Sequence, residues 1–198
     1  MANYATLSQV KAALRIDDQI DDNLLTTAVQ AASRWVDGWC DRDFTVASGT
    51  TVRDYVPSGR MEPLFVDDLT SVVSIRIDED LDRSFATTLA EIDFQLEPVN
   101  GRSFGNEFPF YVIRPQEDGY WPLYAGRATV RVQATYGWPE LPDAVREATI
   151  IQASRLYTRL SSPLGVVSFG DMGAMRVSKF ADPDVEMLLA PYRRLYRG

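Results

Sequence analysis

The spacing of apolar residues changes twice along the chain, and this change limits the possible folds more than any other feature. From Asn23 to Trp39, and again from Asp143 to about Leu160, apolar residues recur at every third or fourth position. Between residues 45 and 136 they fall in short runs with a period of two. The first spacing is typical of amphipathic helices, and the second of strands with one solvated face. The sequence therefore predicts long helices on both sides of a β region.

Two shorter helices complete the predicted helical part. One covers Leu7–Leu14 behind the N-cap Thr6, and the other follows the N-cap Asp182. Pro191 should kink this last helix or restart a turn, because proline interrupts helical hydrogen bonding. Before it, residues 165–180 predict a β-hairpin, with strands in "GVVSF" and "AMRVSKF" on either side of "GDMG".

These elements predict an α+β fold. It is a helical bundle, made of two long and two shorter helices, with an inserted antiparallel β region and a β-hairpin before the last helix. We expect residues 1–44 to supply the N-terminal helices of the bundle and residues 45–137 to form the β region. Residues 138–198 should supply the C-terminal helices, with the hairpin at 165–180.

Six runs in the β region predict strands: "TTVRDYV", "PLFVD", "SVVSIRID", "IDFQLEP", "PFYVIRP" and "RATVRVQATY". The third run alternates around Val73, Ile75 and Ile77, which predicts that these three residues share one face. Before the last run, "PQEDGYWPLYAGR" is a turn-rich excursion, and its aromatic residues are expected to be exposed.

Two acidic runs match a calcium-binding loop only in part. "IDDQIDDN" lacks the glycine and the distal glutamate of such a loop, and one of its last two aspartates is expected to cap the following helix. "DEDLDRS" begins with three alternating aspartates from Asp78, but Arg83 and Leu89 stand where the loop needs glycine and glutamate. We therefore expect a solvated hairpin tip and no metal site.

The chain has no histidine and only one cysteine, Cys40. A single cysteine excludes an internal disulfide and a cysteine-rich zinc site. The lack of histidine removes the commonest general base and transition-metal ligand. Two carboxylate pairs remain as candidates for acid–base catalysis: Asp41 with Asp43, and Asp67 with Asp68. The second pair is poorly placed, because adjacent residues of a strand point to opposite faces.

The charge is negative and unevenly distributed. The chain has 28 acidic and 20 basic residues, a formal charge of -8, which argues against a dedicated nucleic-acid binder. Residues 143–198 hold six acids and eight bases, whereas residues 1–142 hold 22 acids and 12 bases. The basic end is therefore suited to an acidic surface, including that of a neighbouring copy.

No apolar stretch is long enough to cross a bilayer, and the N-terminus lacks a secretory pattern, so the protein is expected to be soluble and unsecreted.

The second long helix is apolar around much of its circumference, which indicates more than one packing partner. The hairpin either folds back on its own sheet or packs against an adjacent subunit; the residues leave both open. Candidate contacts with a neighbouring subunit or another protein are Arg146, Arg155, Arg159, Val166, Val167, Phe169, Met172 and Met175.

Two segments of the chain resemble the gp6-like head-tail connector, or adaptor, proteins of tailed bacteriophages. "TLSQVKAALRIDDQIDDNLLTTAVQAASRWVDGWCDRDF" is similar to the opening of that family. "VRVQATYGWPELPDAVREATIIQASRLYTRLSSPLGV" is similar to its closing strand, proline-containing turn and second long helix. The stretch "RLYTRLSSPLGVVSFGDMGAMRVSKF" is especially similar to connectors of phages of actinobacteria.

The resemblance implies a structural virion protein without catalytic activity or cofactor. It implies a homo-oligomeric ring, expected to be a dodecamer, in the neck of the virion. The portal protein would lie above the ring and a stopper or tail-completion protein below it, and DNA would pass without specific binding. Assembly would take place in the host cytoplasm, with no membrane contact.

The basic, aromatic C-terminal tail is the expected portal contact under this interpretation, because Arg and Tyr are favoured in interfaces. Its residues are Tyr192, Arg193, Arg194, Tyr196 and Arg197. Three alternatives remain: another neck or tail-completion protein, such as a stopper or terminator; a small acidic enzyme; and a regulatory nucleic-acid binder.

Overall fold

The computed structural model describes residues 2–103, 106–116, 119–161, 166–168, 174–176 and 182–194. They divide into two compact units. The helical unit comprises the described residues up to Phe44 and those of Leu141–Arg194, and the β unit comprises those of Thr45–Glu140. The predicted α+β class is confirmed by four helices and an antiparallel sheet of six strands.

The helices are α1 (Leu7–Leu14), α2 (Asp22–Cys40), α3 (Asp143–Ser161) and α4 (Pro183–Leu189). Thr6 caps α1 in a capping box with Gln9, as predicted from the sequence for an N-terminal Thr. Asp182 caps α4 by accepting the Asp184 N–H at 3.0 Å. The helix ends before Pro191, which lies in a 3-10 turn over Ala190–Tyr192.

The start of α2 differs in one respect from the prediction. Asp21 occupies the N-cap position, but its side chain makes no capping hydrogen bond. Its Oδ2 instead accepts a hydrogen bond from the hydroxyl of Tyr157 on α3, at 2.5 Å. Asp22 lies in the first turn, where its charge complements the helix dipole.

The core of the helical unit lies where α1, α2 and α3 pack together. Val10 of α1, Leu25 and Val29 of α2, and Ala153 of α3 are buried in one cluster. Ile150, Leu156 and Tyr157 of α3 are only partly buried against this cluster. The apolar surface of α3 is therefore incompletely covered within its own unit. Among the described residues, no helix is long and apolar enough to cross a membrane.

The β unit is built on one antiparallel sheet. Its strands are β1 (Thr51–Tyr55), β2 (Leu64–Ile77), β3 (Thr87–Thr88), β4 (Phe94–Glu97), β7 (Phe110–Pro115) and β8 (Val130–Tyr136), and β5 (Arg102–Ser103) and β6 (Asn106–Glu107) form a separate pair. The order across the sheet is β1-β8-β2-β7-β4, with β3 on β2. Val130, Val132 and Ala134 alternate on the buried face of β8, as their spacing predicts.

Strand β2 corrects two expectations. The runs "PLFVD" and "SVVSIRID" form one strand rather than two. The pairing of β2 with β8 shifts register between Leu69 and Ser71 and again between Val72 and Ser74. A register shift of this kind changes which residues face the core. Ile75 and Ile77 are buried, but Val73 is 61% exposed, so the predicted common face does not include it.

Trp121 also differs from the expectation that the aromatics of residues 115–127 are exposed. Its side chain is 0% exposed, within the core formed by β2, β7 and β8. The indole Nε1 donates a hydrogen bond to the Glu62 carbonyl at 2.9 Å, and the Trp121 N–H donates to the Arg60 carbonyl at 2.9 Å. Tyr124 is exposed, as expected. The excursion therefore contributes a core residue to the β unit.

A glycine fixes the end of β8. Gly137 has φ of 121°, a region that side-chain-bearing residues avoid. A Cβ atom at this position would lie 2.6 Å from the carbonyl oxygen of Thr45. This close approach allows the chain around Val46 to form a parallel bridge with Trp138.

Candidate assembly surfaces

The C-terminal segment is anchored to the end of α2. Tyr192 is only 7% exposed, and its ring meets that of Phe44 edge-on, with the ring centroids 6.0 Å apart. The N–H of Arg194 donates to the carbonyl of Cys40, the last residue of α2, at 2.9 Å. This bond satisfies one of the carbonyl groups that a helix end leaves without an internal partner. Tyr192 is therefore an anchor within the subunit and not an exposed contact.

The remaining residues of the expected portal contact divide into two groups. Arg193 is exposed, and its guanidinium lies over the ring of Trp39, 5.4 Å from the centroid. Arg194 is partly buried. Tyr196 and Arg197 lie outside the described residues. The structure thus places Arg193 and Arg194 against the C-terminal end of α2.

A partly buried polar network also fixes the C-terminal end of α2. The hydroxyl of Tyr4 donates to Asp37 and accepts the N–H of Phe44 at 2.9 Å. The backbone N–H of Tyr4 donates to the hydroxyl of Ser33 at 3.1 Å. Burial raises the pKa of the Asp37 carboxyl and of the Tyr4 hydroxyl. Sequence reasoning missed this network, and its only local signal is a tyrosine close before the first helix.

Trp35 and Trp39 stack on the surface of α2. Their ring centroids are 5.3 Å apart with an interplanar angle of 16°, and both side chains are partly buried. Their spacing predicts contact, since residues four apart on a helix are neighbours. Together with Arg193 they form a continuous aromatic and cationic surface.

The three arginines of α3 occupy different environments. Arg146 forms an ion pair with Asp143, one turn earlier. Arg155 approaches Asp182 at 3.5 Å and so links α3 to the N-cap of α4. Arg159 is exposed. Of the three, Arg159 is therefore the best placed to meet another subunit, while Arg155 contributes to packing within the helical unit.

The predicted hairpin has its strands where the sequence placed them. Strands β9 (Val166–Ser168) and β10 (Ala174–Arg176) pair antiparallel, with Val167 opposite Met175, as a two-stranded sheet. Three of the predicted contact residues, Val166, Val167 and Met175, lie on these strands. Phe169 and Met172 lie outside the described residues.

Four arginines of the β unit are paired with carboxylates. Thr45–Glu140 contains fifteen acidic and eight basic residues. Four of the arginines form ion pairs across the sheet or its loops: Arg53 with Asp67, Arg114 with Glu97, Arg127 with Asp78, and Arg131 with Asp54. The bidentate pair with Arg131 lowers the pKa of the Asp54 carboxyl. With fifteen acids and eight bases, the unit has a formal net charge of -7.

Three of the four candidate catalytic carboxylates are engaged in structural contacts. Asp67 is exposed and pairs with Arg53 at 2.6 Å, whereas Asp68 is buried and accepts the indole N–H of Trp138 at 3.1 Å. The prediction that these neighbours face opposite sides is confirmed. Asp43 accepts a hydrogen bond from Tyr4 at 3.3 Å.

The run "DEDLDRS" closes on itself rather than around an ion. Asp78 is buried, accepts the N–H of Arg83 at 3.1 Å and forms the ion pair with Arg127 at 3.5 Å. Asp80 and Asp82 are exposed, as expected for a solvated tip, so Asp78 is the exception to that prediction. No group of three or more His, Cys, Asp or Glu side chains in the described part of the chain is arranged to hold a metal.

One shallow cavity in the β unit has a volume of about 200 Å³. It is lined by Thr70, Asn100, Gly101, Glu107, Phe108, Pro109, Phe110 and Pro139. This volume is below the range of about 300–1,000 Å³ that is usual for small-molecule sites. The cavity therefore gives little support to a substrate pocket.

Sequence reasoning also missed Ile20 as a surface residue. Its side chain is 86% exposed in the turn before α2. The signal was present in "IDDQIDDN", where an isoleucine stands between two pairs of aspartates.

One family of known proteins matches the N-terminal part of the chain. The sequence model of the phage gp6-like head-tail connector protein family matches residues 4–82, which include α1, α2, β1 and β2. No curated protein sequence matches the chain.

Two solved structures share the fold. A chain in the neck of an empty GTA particle, computed with C6 symmetry, has a TM-score of 0.55 at 17% identity. A chain in the virion of a native gene transfer agent (GTA) particle has a TM-score of 0.52, also at 17% identity. Both matches cover 97% of this chain and 91% of the other. The chain is thus similar to the head-tail connector family over residues 4–82, and it shares its fold with these two particle components.

Proposed function

We propose that this protein is a structural head-to-tail connector that forms a ring below the portal of a tailed phage or related particle. The observation that carries the proposal is the agreement of two independent likenesses. The connector family matches the N-terminal helices and the first strands, and a chain of a GTA neck has the same fold over almost the whole length.

A ring of twelve copies is the expected assembly. The neck of the similar GTA particle was computed with C6 symmetry, which rings of six or twelve identical chains satisfy. Head-to-tail contacts between copies close into a ring when the rotation permits. The partly buried apolar residues of α3 and the exposed Arg159 provide surface for such contacts. The hairpin of β9 and β10 is a further candidate for contact with the next subunit or neck protein.

The charge of the β unit suits a channel through which DNA passes without binding. Affinity for nucleic acid depends on Lys and Arg that neutralise phosphates. Four arginines of the unit are paired with carboxylates, and acids exceed bases by fifteen to eight. An acidic surface repels the DNA backbone, so DNA can pass along the channel without adhering to its wall.

The portal contact is assigned to Arg193 and the last residues of the chain. The ring of Tyr192 packs on Phe44 and the N–H of Arg194 bonds to Cys40, so the chain is fixed on the end of α2 up to Arg194. A tail fixed at its root loses less entropy on binding than a free one. Residues 195–198 include Tyr196 and Arg197, whose side-chain types are favoured in interfaces.

Another neck component, such as a stopper or terminator, is the second candidate. The six-stranded sheet favours it, because a large β part is expected of such proteins. The two candidates differ in their partner: a connector binds the portal, whereas a stopper binds the connector. An enzyme is less well supported, since Asp43, Asp67 and Asp68 are all engaged in structural contacts.

Deletion of residues 195–198 tests this function and its site together. We expect the full chain to sediment with portal rings of the same virus, and the shortened chain to lose most of this binding. Because the deletion leaves Tyr192 and its contact with Phe44 in place, the unfolding temperature should stay unchanged. A deletion from residue 191 would also remove the buried Tyr192. A loss of portal binding could then result from destabilisation of the helical unit rather than from loss of the contact.

Two results would count against the proposal in different ways. A full chain that never sediments with portal rings contradicts the connector function. A shortened chain that binds as tightly as the full chain contradicts only the assignment of the C-terminal contact. Met187→Ser is the matched control, because this exposed side chain of α4 lies on the same unit and has no assigned role.

A further inference from the structure

The turn before α2 presents an apolar side chain that its own helix does not cover. Ile20 precedes the N-cap Asp21, a position whose apolar side chain often packs on the fourth residue of the helix. That residue is Leu25, which is 0% exposed within the core, while Ile20 is 86% exposed. The side chain of Leu24 is exposed as well. Ile20 and Leu24 are therefore two exposed apolar side chains at the start of α2, and we call them the Ile20 tip.

The Ile20 tip is held in place by polar contacts from two helices. Lys11 of α1 forms an ion pair with Asp22 at 2.6 Å, and Tyr157 of α3 donates to Asp21 at 2.5 Å. The N–H of Ile20 itself donates to the Asp18 carboxylate at 3.0 Å. An exposed apolar residue on a pre-ordered turn loses little entropy when it binds, which favours its use as a contact.

A complementary surface lies at the other end of α2. Trp35 and Trp39 stack there, and Arg193 covers Trp39. Between the two tryptophans in sequence is Gly38, which is exposed and has open space where a Cβ would stand. Because glycine has no side chain, it leaves a gap in the surface of α2 at this position. This gap comes at a cost in stability, since glycine weakens a helix relative to alanine. We call Trp35, Gly38, Trp39 and Arg193 the tryptophan notch.

The two surfaces match in charge as well as in polarity. Asp17 and Asp18 are exposed beside Ile20, while the guanidinium of Arg193 is exposed on the notch. The two surfaces lie at opposite ends of a helix of 19 residues, which is about 28 Å long. They therefore cannot meet within one copy. Two different and complementary patches on one chain are the requirement for a head-to-tail contact that closes into a ring.

We propose that the Ile20 tip of one copy docks into the tryptophan notch of the next copy, with Asp17 or Asp18 near Arg193. This inference rests on the proposed ring and names the surface that closes it. In this contact Ile20 occupies the open space at Gly38, beside the stacked indoles of Trp35 and Trp39.

Cysteine cross-linking tests this contact directly in the full chain. In the variant Ile20→Cys with Gly38→Cys, mild oxidation of the ring assembled on portal should join neighbouring copies. The sample should then run as a ladder of multimers on a denaturing gel without reductant. The matched control is Ile20→Cys with Gln30→Cys, which places the second thiol on an exposed position of the same helix and should remain monomeric. Cys40 does not interfere, because burial raises its pKa to about 12.

A second variant measures the energetic role of Ile20. Ile20→Ser should weaken the association between copies by about 10-fold or more, as expected for an isoleucine side chain that becomes buried on binding. Its unfolding temperature should not change, because the side chain is exposed in the single copy. The control Met187→Ser, also exposed in the helical unit, should associate like the wild type.

The outcomes separate this contact from the ring itself. If the wild type forms rings but the Ile20 and Gly38 thiols do not cross-link, or if Ile20→Ser assembles normally, the docking contact is overturned and the connector function stands. If the wild type does not assemble on portal at all, both the function and the contact fail.

Discussion

Replacement of Trp121 by alanine should destabilise the β unit by about 3–5 kcal/mol, the usual cost of deleting a large buried aromatic side chain. The indole is fully buried among β2, β7 and β8, and its N–H is satisfied by the Glu62 carbonyl. Alanine would leave a cavity and an unpartnered carbonyl. Urea unfolding followed by the fluorescence and circular dichroism of the full chain measures the change.

The control for this prediction is Tyr124→Ala. Tyr124 belongs to the same excursion but is exposed, so its replacement should alter the free energy of unfolding by less than about 0.5 kcal/mol. Equal effects of the two substitutions would show that the burial of Trp121 does not stabilise the β unit.

Tyr192→Ala should destabilise the helical unit by about 3 kcal/mol and release the C-terminal segment. The ring is buried against Phe44, which in turn lies edge-on to Tyr4 at 5.7 Å. Loss of the ring removes the packing that holds the tail, although the bond from Arg194 to Cys40 remains. Two measurements check this: the free energy of unfolding, and the rate of proteolytic cleavage after Arg193 or Arg194.

Met187→Ala serves as the control, because that side chain of α4 is 69% exposed and its removal should leave both quantities unchanged. A Tyr192→Ala protein with wild-type stability and an equally protected tail would mean that the segment is not anchored. The portal contact would then have to be sought elsewhere in the chain.

The parts of the fold that the sequence predicted are those fixed by local signals. Thr6 and Asp182 cap their helices, and Pro191 ends α4, because each of these residues acts on backbone groups within a turn. The period-two runs predicted most of the strands for the same reason. Even the short pairing of β9 with β10 follows from the local pattern around "GDMG".

The parts that the sequence did not predict depend on distant partners. Val73 is exposed because β2 shifts register against β8, and no residue of β2 alone encodes that shift. Trp121 is buried because the excursion folds back over Arg60 and Glu62, far away in sequence. Tyr192 belongs to the core through Phe44, although its position in a basic tail predicted a surface residue.

The candidate contacts show the same division between local and distant information. The stacking of Trp35 on Trp39 follows from helical spacing, but its coverage by Arg193 requires the tail to return to α2. The sequence did not predict that Ile20 is exposed, because an apolar residue before a helix usually packs on that helix. The types and order of residues in the sequence predicted that the chain assembles with other proteins. Which side chains are exposed for such contacts depends on tertiary packing and was not predictable from the sequence.

The mass of the complex between the full chain and the portal tests the central claim most directly. Native mass spectrometry of portal rings saturated with the chain should give a single stoichiometry of twelve copies per portal, in keeping with a head-to-tail ring. Scattered binding of single copies, or a chain that stays monomeric beside intact portal rings, would contradict the account.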